Sequence, residues 1–463
     1  MNPIHYDLVI VGAGISGLSL AYRLSRTQPG MRILLLEARS TVGGNLRTEH
    51  TADGFLIDAG PDSWVAQKPQ ATRLAEELGL GSSLIGSNPD TRKVHIVHQG
   101  KLHPMPEGLV LGVPTAVRPI IETSLFSWSG KMRMGLELMV PPKNDDEDET
   151  VENFITRRLG AEVCERLAGP LLGGIFSGEP SELSMRTCFP SLLEAERKHG
   201  SLIRAMRARK AGGSGNASAF TTLRDGVGSL TEALYQALLA AGIDVQTGVQ
   251  AEALDSVHGR HVLSVSNGAR VSSPALVFAG PAHVPARLLG DDVKHAFSMF
   301  RYASAATVFL AYDEAALGRQ LDGVGFVVPK SEARSVTACT WVSSKWEGRA
   351  PAGKALVRLF FGGTHGQHWL SRSDEELQQI AAQEFEFFVG ANARPLFAKT
   401  YRFVQGTPQA PFGHLDRVAR LRAQIAARYP GIHVLGNGYD GTGIPDCVRQ
   451  AEQLAARLVA SAF

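Results

Sequence analysis

Cysteine is scarce in this chain of 463 residues, and its four cysteines, Cys164, Cys188, Cys339 and Cys447, lie far apart without a CxxC pair. That spacing argues against a disulfide framework or a structural zinc site and fits free thiols in a reducing compartment. Net charge is nearly absent: 47 basic against 45 acidic side chains leave +2, so no whole-protein attraction to nucleic acid is expected. No uninterrupted run of about 18 apolar residues occurs, so no membrane-spanning helix is predicted. The opening Met1-Asn2-Pro3-Ile4-His5 lacks the basic and apolar regions of a secretory signal, which predicts a cytoplasmic location. Catalytic apparatus is thin as well. There is no Gly-x-Ser-x-Gly elbow, and His365 and His368 have no acidic third ligand nearby. The acidic run Asn144 to Glu149 has no second ligand cluster and reads as a solvated loop. No metal is expected, and no side chain stands out as a nucleophile.

Glycine, in contrast, is abundant and placed with order. Leu8 to Val11 is a short apolar run, and Gly12-x-Gly14-x-x-Gly17 follows at once, opening a helical stretch from Leu18 to Leu24. Gly12 permits a tight turn, Gly14 lets a pyrophosphate approach the backbone, and Gly17 lets helix pack on strand; Ala13, Ile15 and Ser16 fill the turn. The helix N-terminus offers free N–H groups to phosphate. Arg32 to Glu37 is a second strand, ending in an acid at the spacing of a ribose-hydroxyl ligand. This is a Rossmann-type dinucleotide site.

Further strands and turns follow. Gly54 to Asp58 reads as a strand closed by Gly60-Pro61-Asp62-Ser63, a turn where backbone can approach a ligand. Val151 to Leu159 and Ala161 to Leu172 read as amphipathic helices within a mostly helical stretch, Lys131 to Lys210. Ala211 to Asn216 is the expected flexible linker. Thr307 to Ala311, Gly325 to Val328, Val336 to Val342 and Ala355 to Phe361 are assigned to one sheet. Asp374 to Phe388 is predicted helical, its acidic first turn suiting the dipole. Near the end, Ile432 to Leu435 is a buried strand leading into Gly436-Asn437-Gly438-Tyr439-Asp440-Gly441-Thr442-Gly443-Ile444-Pro445 and a helix to about Leu458.

Several of these stretches carry a resemblance. Glu37-Ala38-Arg39 running into Gly43-Gly44-Asn45 resembles the second glycine pair of amine-oxidase-like FAD flavoproteins, and the Gly436 to Pro445 loop resembles their closing flavin motif. "GPDSW", "KLHPMPEGLVLGVPT" and "LGGIFSGEPSELS" resemble the porphyrinogen oxidases of haem synthesis. The resemblance spans nearly the whole chain. It implies noncovalent FAD and an α/β, overall α+β, architecture: a Rossmann-type FAD domain, a β-rich substrate domain and a helical, membrane-facing insertion. The expected ranges are 1–65, 217–290 and 405–463 for FAD, 66–90 and 291–404 for substrate, 91–210 for the helical region and 211–216 for the linker. It also brings Val249 to the adenine end of FAD and Ala279 and Phe403 to the flavin. Gly174 would offer a carbonyl to pyrrole N–H groups, Val327, Trp341 and Phe360 would sandwich the macrocycle, and Arg92 or Lys93 would pair with a propionate.

The implied reaction removes six electrons from a porphyrinogen in three two-electron steps through FAD, with O2 as acceptor. Other expected partners are a weak peripheral membrane contact and a second copy in a homodimer; nucleic acid is not one. "GPDS…HPMPEG" is closest to the coproporphyrinogen branch. The few cations and the apolar Val327, Trp341 and Phe360 favour a two-propionate substrate, and an ionised Asp62 near the propionates would repel a four-carboxylate one. The expectation is oxidation of protoporphyrinogen IX to protoporphyrin IX, with coproporphyrinogen III to coproporphyrin III as the alternative. Two rivals share the scaffold. Another amine-oxidase-like oxidase or a carotenoid desaturase would lack the "HPMP" and "GIFSGEPSELS" stretches. A non-catalytic binding relative would lose the glycines that Gly436, Gly441 and Gly443 retain.

Overall fold

Leu8–Val11, Ile33–Glu37 and Ala275–Ala279 are apolar and largely buried along their length, as expected of parallel strands covered on both faces. In the computed structural model, which describes residues 2–110, 113–116, 118–171, 178–211, 218–257, 259–363 and 366–461, they form the centre of a five-stranded parallel sheet. Its order is Asp244–Thr247, Ile33–Glu37, Leu8–Val11, Ala275–Ala279, Ile432–Leu435. Side chains alternate between two cores. Leu8, Ile10, Leu35 and Val277 meet the helices Ile15–Thr27, Gly228–Ala240 and Ile444–Ser461. Val9, Leu34, Leu276 and Phe278 meet a small four-stranded sheet and the helix His414–Arg428. All five strands end on one side, and four of them run directly into glycine: Gly12, Gly248, Gly280 and Gly436.

A second sheet has seven strands, in the order Phe397–Pro408, Tyr302–Asp313, Lys354–Gly362, Ala338–Trp341, Gly325–Val327, Val94–His98, Lys101–Pro104. One face packs under the helix Asp374–Val389, which Ser373 and Glu376 close with a reciprocal capping box. The opposite face turns toward the Phe55 to Ile57 stretch and the helical region. The four runs assigned to one sheet from sequence do lie in it.

The helical region includes Trp128–Gly135, Val151–Leu159, Pro190–His199 and Leu202–Ala211. The expected helix from Ala161 departs from regularity: Cys164–Ala168 is a wider π turn. Two expected boundaries shift. Val94–His98 and Lys101–Pro104, expected in the helical region, are strands of the seven-stranded sheet. Gln70–Glu77, expected with the substrate domain, buries Ala71, Leu74 and Ala75 in the core of the cofactor helices. Apart from Ala211, which ends a helix, the expected linker lies outside the described residues, as do Gly174 and His365. Among the described residues no helix is long and apolar enough to cross a membrane.

Candidate active site

The three glycines of the first turn are required for different reasons. Gly12 has φ 111°, a conformation that disfavours any side chain, and a Cβ on Gly17 would collide with the Gly12 carbonyl. Gly14 is unlike both. Its φ is −77°, and an added Cβ would meet nothing closer than Gly44 Cα at 3.9 Å. Packing within the protein therefore gives no reason for glycine at 14, whereas a diphosphate in that space does. The helix that begins here has no side-chain cap and no acid in its first turn, leaving N–H groups and a positive dipole end for an anion.

The neighbouring residues converge on the same place. Ala13 N donates to Glu37 Oε2 at 2.9 Å and Arg39 N to Glu37 Oε1 at 3.0 Å, so the carboxylate is fixed at the strand end. Val249 N donates to the Glu37 carbonyl at 2.9 Å and Gly43 N to the Ala13 carbonyl at 2.8 Å. Arg39 Nη1 and Arg47 Nε both donate to the Gly44 carbonyl, at 2.8 and 3.2 Å. Burial, with Arg39 beside it, lowers the pKa of Arg47. Two cations crowded on one carbonyl fit an anion between them. Across the sheet, a Cβ on Gly12 would meet Ala279, and one on Gly436 would lie 3.4 Å from Gly280 N. Gly12, Ala279 and Gly436 thus line one seam.

At the far end of this seam, Asn437 Oδ1 is buried with no hydrogen-bond partner among the described residues. His414 is buried, which lowers its pKa, and its Nε2–H donates to the Gly438 and Tyr439 carbonyls at 2.8 and 3.0 Å. The helix Ile444–Ser461 starts here after Gly443, with Pro445 in its first turn. Asp446 accepts from Gly443 N at 3.3 Å and from Lys68 Nζ at 2.9 and 2.7 Å. A Cβ on Gly60 would strike the Asn45 carbonyl and lie 3.7 Å from Phe403, and Asn45 Nδ2 donates to the Gly406 carbonyl at 3.4 Å. The cofactor turns and the seven-stranded sheet therefore meet at Asn45, Gly60 and Phe403.

On that sheet one row of paired residues crosses all seven strands: Tyr401, Thr307, Phe360, Ala338, Val327, Ile96 and His103. Phe360 and Val327 thus share a face of the sheet. Trp341 does not. It is fully buried with Cys339 in the core under the helix Asp374–Val389, beside His95 at 5.4 Å. Its expected place against a substrate is corrected to a core position. Lys93 pairs its ammonium with Asp322 at 3.0 Å, in an ion pair open to solvent. Arg92 is exposed at the head of Val94–His98.

Asp62 also differs from expectation. Its carboxylate accepts from Lys345 Nζ and Trp346 Nε1, each at 2.9 Å, and from Ser63 Oγ at 2.7 Å. Burial alone would raise its pKa, but the Lys345 ammonium and these hydrogen bonds hold it well below the usual carboxylate range. The carboxylate is committed inside the protein, so what Asp62 offers a cofactor is main chain. Lys345, Arg349, Lys68 and Arg358 were all missed by sequence reasoning. Arg358 had one signal, a charge inside the apolar strand Lys354–Gly362.

A parallel dinucleotide sheet, a glycine turn with room for a diphosphate and a second sheet closing over its end define a flavoprotein oxidoreductase. Comparison with known proteins agrees. Residues 15–459 match the family model described as flavin containing amine oxidoreductase. The chain is 32% identical to the coproporphyrinogen III oxidase of Bacillus subtilis (strain 168), over 96% of each chain. It is 29% identical to the protoporphyrinogen oxidase of Bos taurus, over 98% of each. A crystal structure from Exiguobacterium sp. 255-15, provisionally named as a protoporphyrinogen oxidase, superposes with a TM-score of 0.88 at 34% identity, covering 99% of each chain. The chain belongs to the flavin-containing amine oxidoreductase family, as one of its FAD-dependent porphyrinogen oxidases.

Proposed function

We propose that this chain oxidises coproporphyrinogen III to coproporphyrin III. The observation that carries this reading is the 32% identity to a coproporphyrinogen III oxidase against 29% to a protoporphyrinogen oxidase, both over nearly the full length. The "GPDS…HPMPEG" wording points the same way. This reverses the expectation of protoporphyrinogen IX. Two supports for that substrate have gone: Trp341 is removed from the lining, and the Asp62 carboxylate is taken up by Lys345 and Trp346.

Bound FAD would accept hydride in each of the three two-electron steps and return the electrons to O2. The chain's own residues position and exclude. Gly12 to Gly17, Glu37 to Arg39 and Gly43 to Asn45 would hold the ADP half, with Val249 at the adenine end. Gly60 to Ser63, Ala279, Phe403, Gly436, Asn437 and Gly443 to Pro445 would surround the flavin end. The Phe360–Ala338–Val327 row would form the apolar floor on which the macrocycle lies, oriented rather than attacked. Gly174 would present a carbonyl to the pyrrole N–H groups, and Arg92 or Lys93 would meet a propionate. The stripe of Trp128, Met132, Leu136 and Met139, each more than half exposed, with Lys131 Nζ 4.6 Å over the Trp128 ring, supports a weak contact with anionic lipid. Cosedimentation with anionic liposomes that falls in Trp128→Ser checks it.

Porphyrin fluorescence assays with both porphyrinogens, run side by side, test the substrate. Higher kcat/KM for coproporphyrinogen III is expected. Higher kcat/KM for protoporphyrinogen IX would restore the discarded substrate, and no porphyrin from either would remove the reading altogether.

A further inference from the structure

We propose that Arg358 is a positioning residue for the reaction, a buried guanidinium that clamps the Ala59–Gly60 carbonyls to the sheet floor and sets a fixed positive charge beside the cofactor turn. Arg358 is 7% exposed. Its Nη1 donates to the Gly60 carbonyl at 2.7 Å and its Nη2 to the Ala59 carbonyl at 2.9 Å, with the Asp58 carbonyl 3.5 Å from Nη1. Its guanidinium carbon lies 4.5 Å from the Phe360 ring centre and 5.2 Å from that of Phe309. One side chain therefore touches both the turn that meets Phe403 and the floor residue Phe360.

The charge is unusual in lacking a carboxylate. Among the described residues no acid accepts a hydrogen bond from Arg358, and its Nε has no partner. The acids on either side of the turn are committed elsewhere. Asp58 accepts from Thr48 Oγ1 at 2.6 Å, Val227 N at 3.0 Å and Arg349 Nη2 at 3.2 Å, while Asp62 is held by Lys345 and Trp346. Burial lowers the Arg358 pKa to about 10, so the group is still cationic at neutral pH. Main-chain dipoles and two aromatic faces touch it directly, and the Asp62 and Asp58 charges favour it through space without a hydrogen bond. A fixed, water-excluded cation favours the cofactor state that carries more negative charge. The fork geometry explains arginine here: two consecutive carbonyls need two N–H groups in one plane, which lysine cannot supply.

This rests on the proposed placement of the flavin against Gly60 to Ser63. The test uses purified holoprotein with Arg358→Met, Arg358→Lys and, as a control on the placement, Gly60→Ala. Arg358→Met is expected to shift the flavin midpoint potential to more negative values. It should slow anaerobic flavin reduction by about tenfold while KM stays within about threefold. Arg358→Lys keeps the charge and loses the fork, so it should hold the potential near wild type but release FAD faster. An Arg358→Met holoprotein with wild-type potential and reduction rate would overturn the proposal. If Arg358→Met does not retain FAD, Arg358→Lys decides, and wild-type FAD release together with wild-type kcat would overturn the clamp. Gly60→Ala should disturb the flavin spectrum or lose FAD. An unchanged spectrum there would instead overturn the placement on which the proposal stands.

Discussion

The cofactor sheet and the helical region both have apolar cores but differ in what else they bury. In the sheet, Leu8, Ile10, Leu34 and Leu35 are completely buried, and apolar area removed from water is the stabilising term. In the helical region, Arg158 and Glu137 are completely buried and Glu196 nearly so. Arg158 pairs with Glu137 and lies 3.3 Å from Glu196, and Arg157 binds Glu196 at 2.6 Å and Glu149 at 2.8 Å. Glu137 also accepts from Ser201 Oγ at 2.5 Å and Leu202 N at 2.7 Å, closing the start of the helix Leu202–Ala211. A buried ion cluster is favourable only with every partner in place. Exchange of one apolar residue for another of similar volume is expected to cost the sheet little, whereas the ion cluster of the helical region depends on particular partners.

The largest effect that separates the two regions comes from Gly14→Val. The space at Gly14 is open, so the variant should fold but purify without FAD, read from its visible absorbance. A folded variant with a full complement of FAD would show that the space is not where the diphosphate lies. Next is Arg158→Met, which leaves Glu137 buried without its cation and Glu196 with Arg157 alone. A loss of about 3–5 kcal/mol is expected in denaturant unfolding, with FAD content per folded molecule unchanged. A parallel loss of FAD would erase the distinction between the regions.

Asp62→Asn acts outside both regions, where Lys345 and Trp346, on a connection of the seven-stranded sheet, meet the cofactor turn. Loss of a charge partner should cost about 1–3 kcal/mol. Because the folded carboxyl is held below its unfolded value, its stabilisation is complete above an unfolded pKa of about 3.9 and is lost as pH falls below it. The wild type should therefore weaken on acidification below about pH 4, and Asp62→Asn should flatten that part of the profile. Smaller still is the contrast between Trp341→Phe and Phe360→Leu. The first should lower stability by about 1–2 kcal/mol and leave KM unchanged. The second should raise KM about fivefold with little loss of stability. Equal KM effects would place Trp341 on the substrate face after all.

The cofactor half was legible because its signals are local. Gly12, Gly14, Gly17 and Glu37 lie within one strand–helix–strand unit: Gly12 answers to its own backbone and Gly17 to Gly12, while Gly14 and Glu37 stand at the spacing a dinucleotide needs. The broad sheet was legible as strands but not as faces. Trp341 shares parity with Cys339, which the structure buries under the helix Asp374–Val389; alternation along the strand, weighed above the polar neighbours Thr340 and Ser343, would have put it there. The commitments of Lys93 and Asp62 were not legible because their partners are remote in sequence: Asp322 lies 229 residues from Lys93, and Lys345 lies 283 from Asp62. The ionic cluster of the helical region escaped notice for the same reason, since Glu137 and Glu196 stand 21 and 38 residues from Arg158. No local pattern announces such a pairing.

The most direct measurement is anaerobic mixing of the purified yellow protein with coproporphyrinogen III, following flavin absorbance and porphyrin fluorescence together. The account predicts that flavin bleaching precedes porphyrin emission, with three flavin equivalents reduced for each porphyrin formed, and that Gly14→Val shows neither signal. Porphyrin formed by the wild type without flavin bleaching, or bleaching without porphyrin, would contradict it.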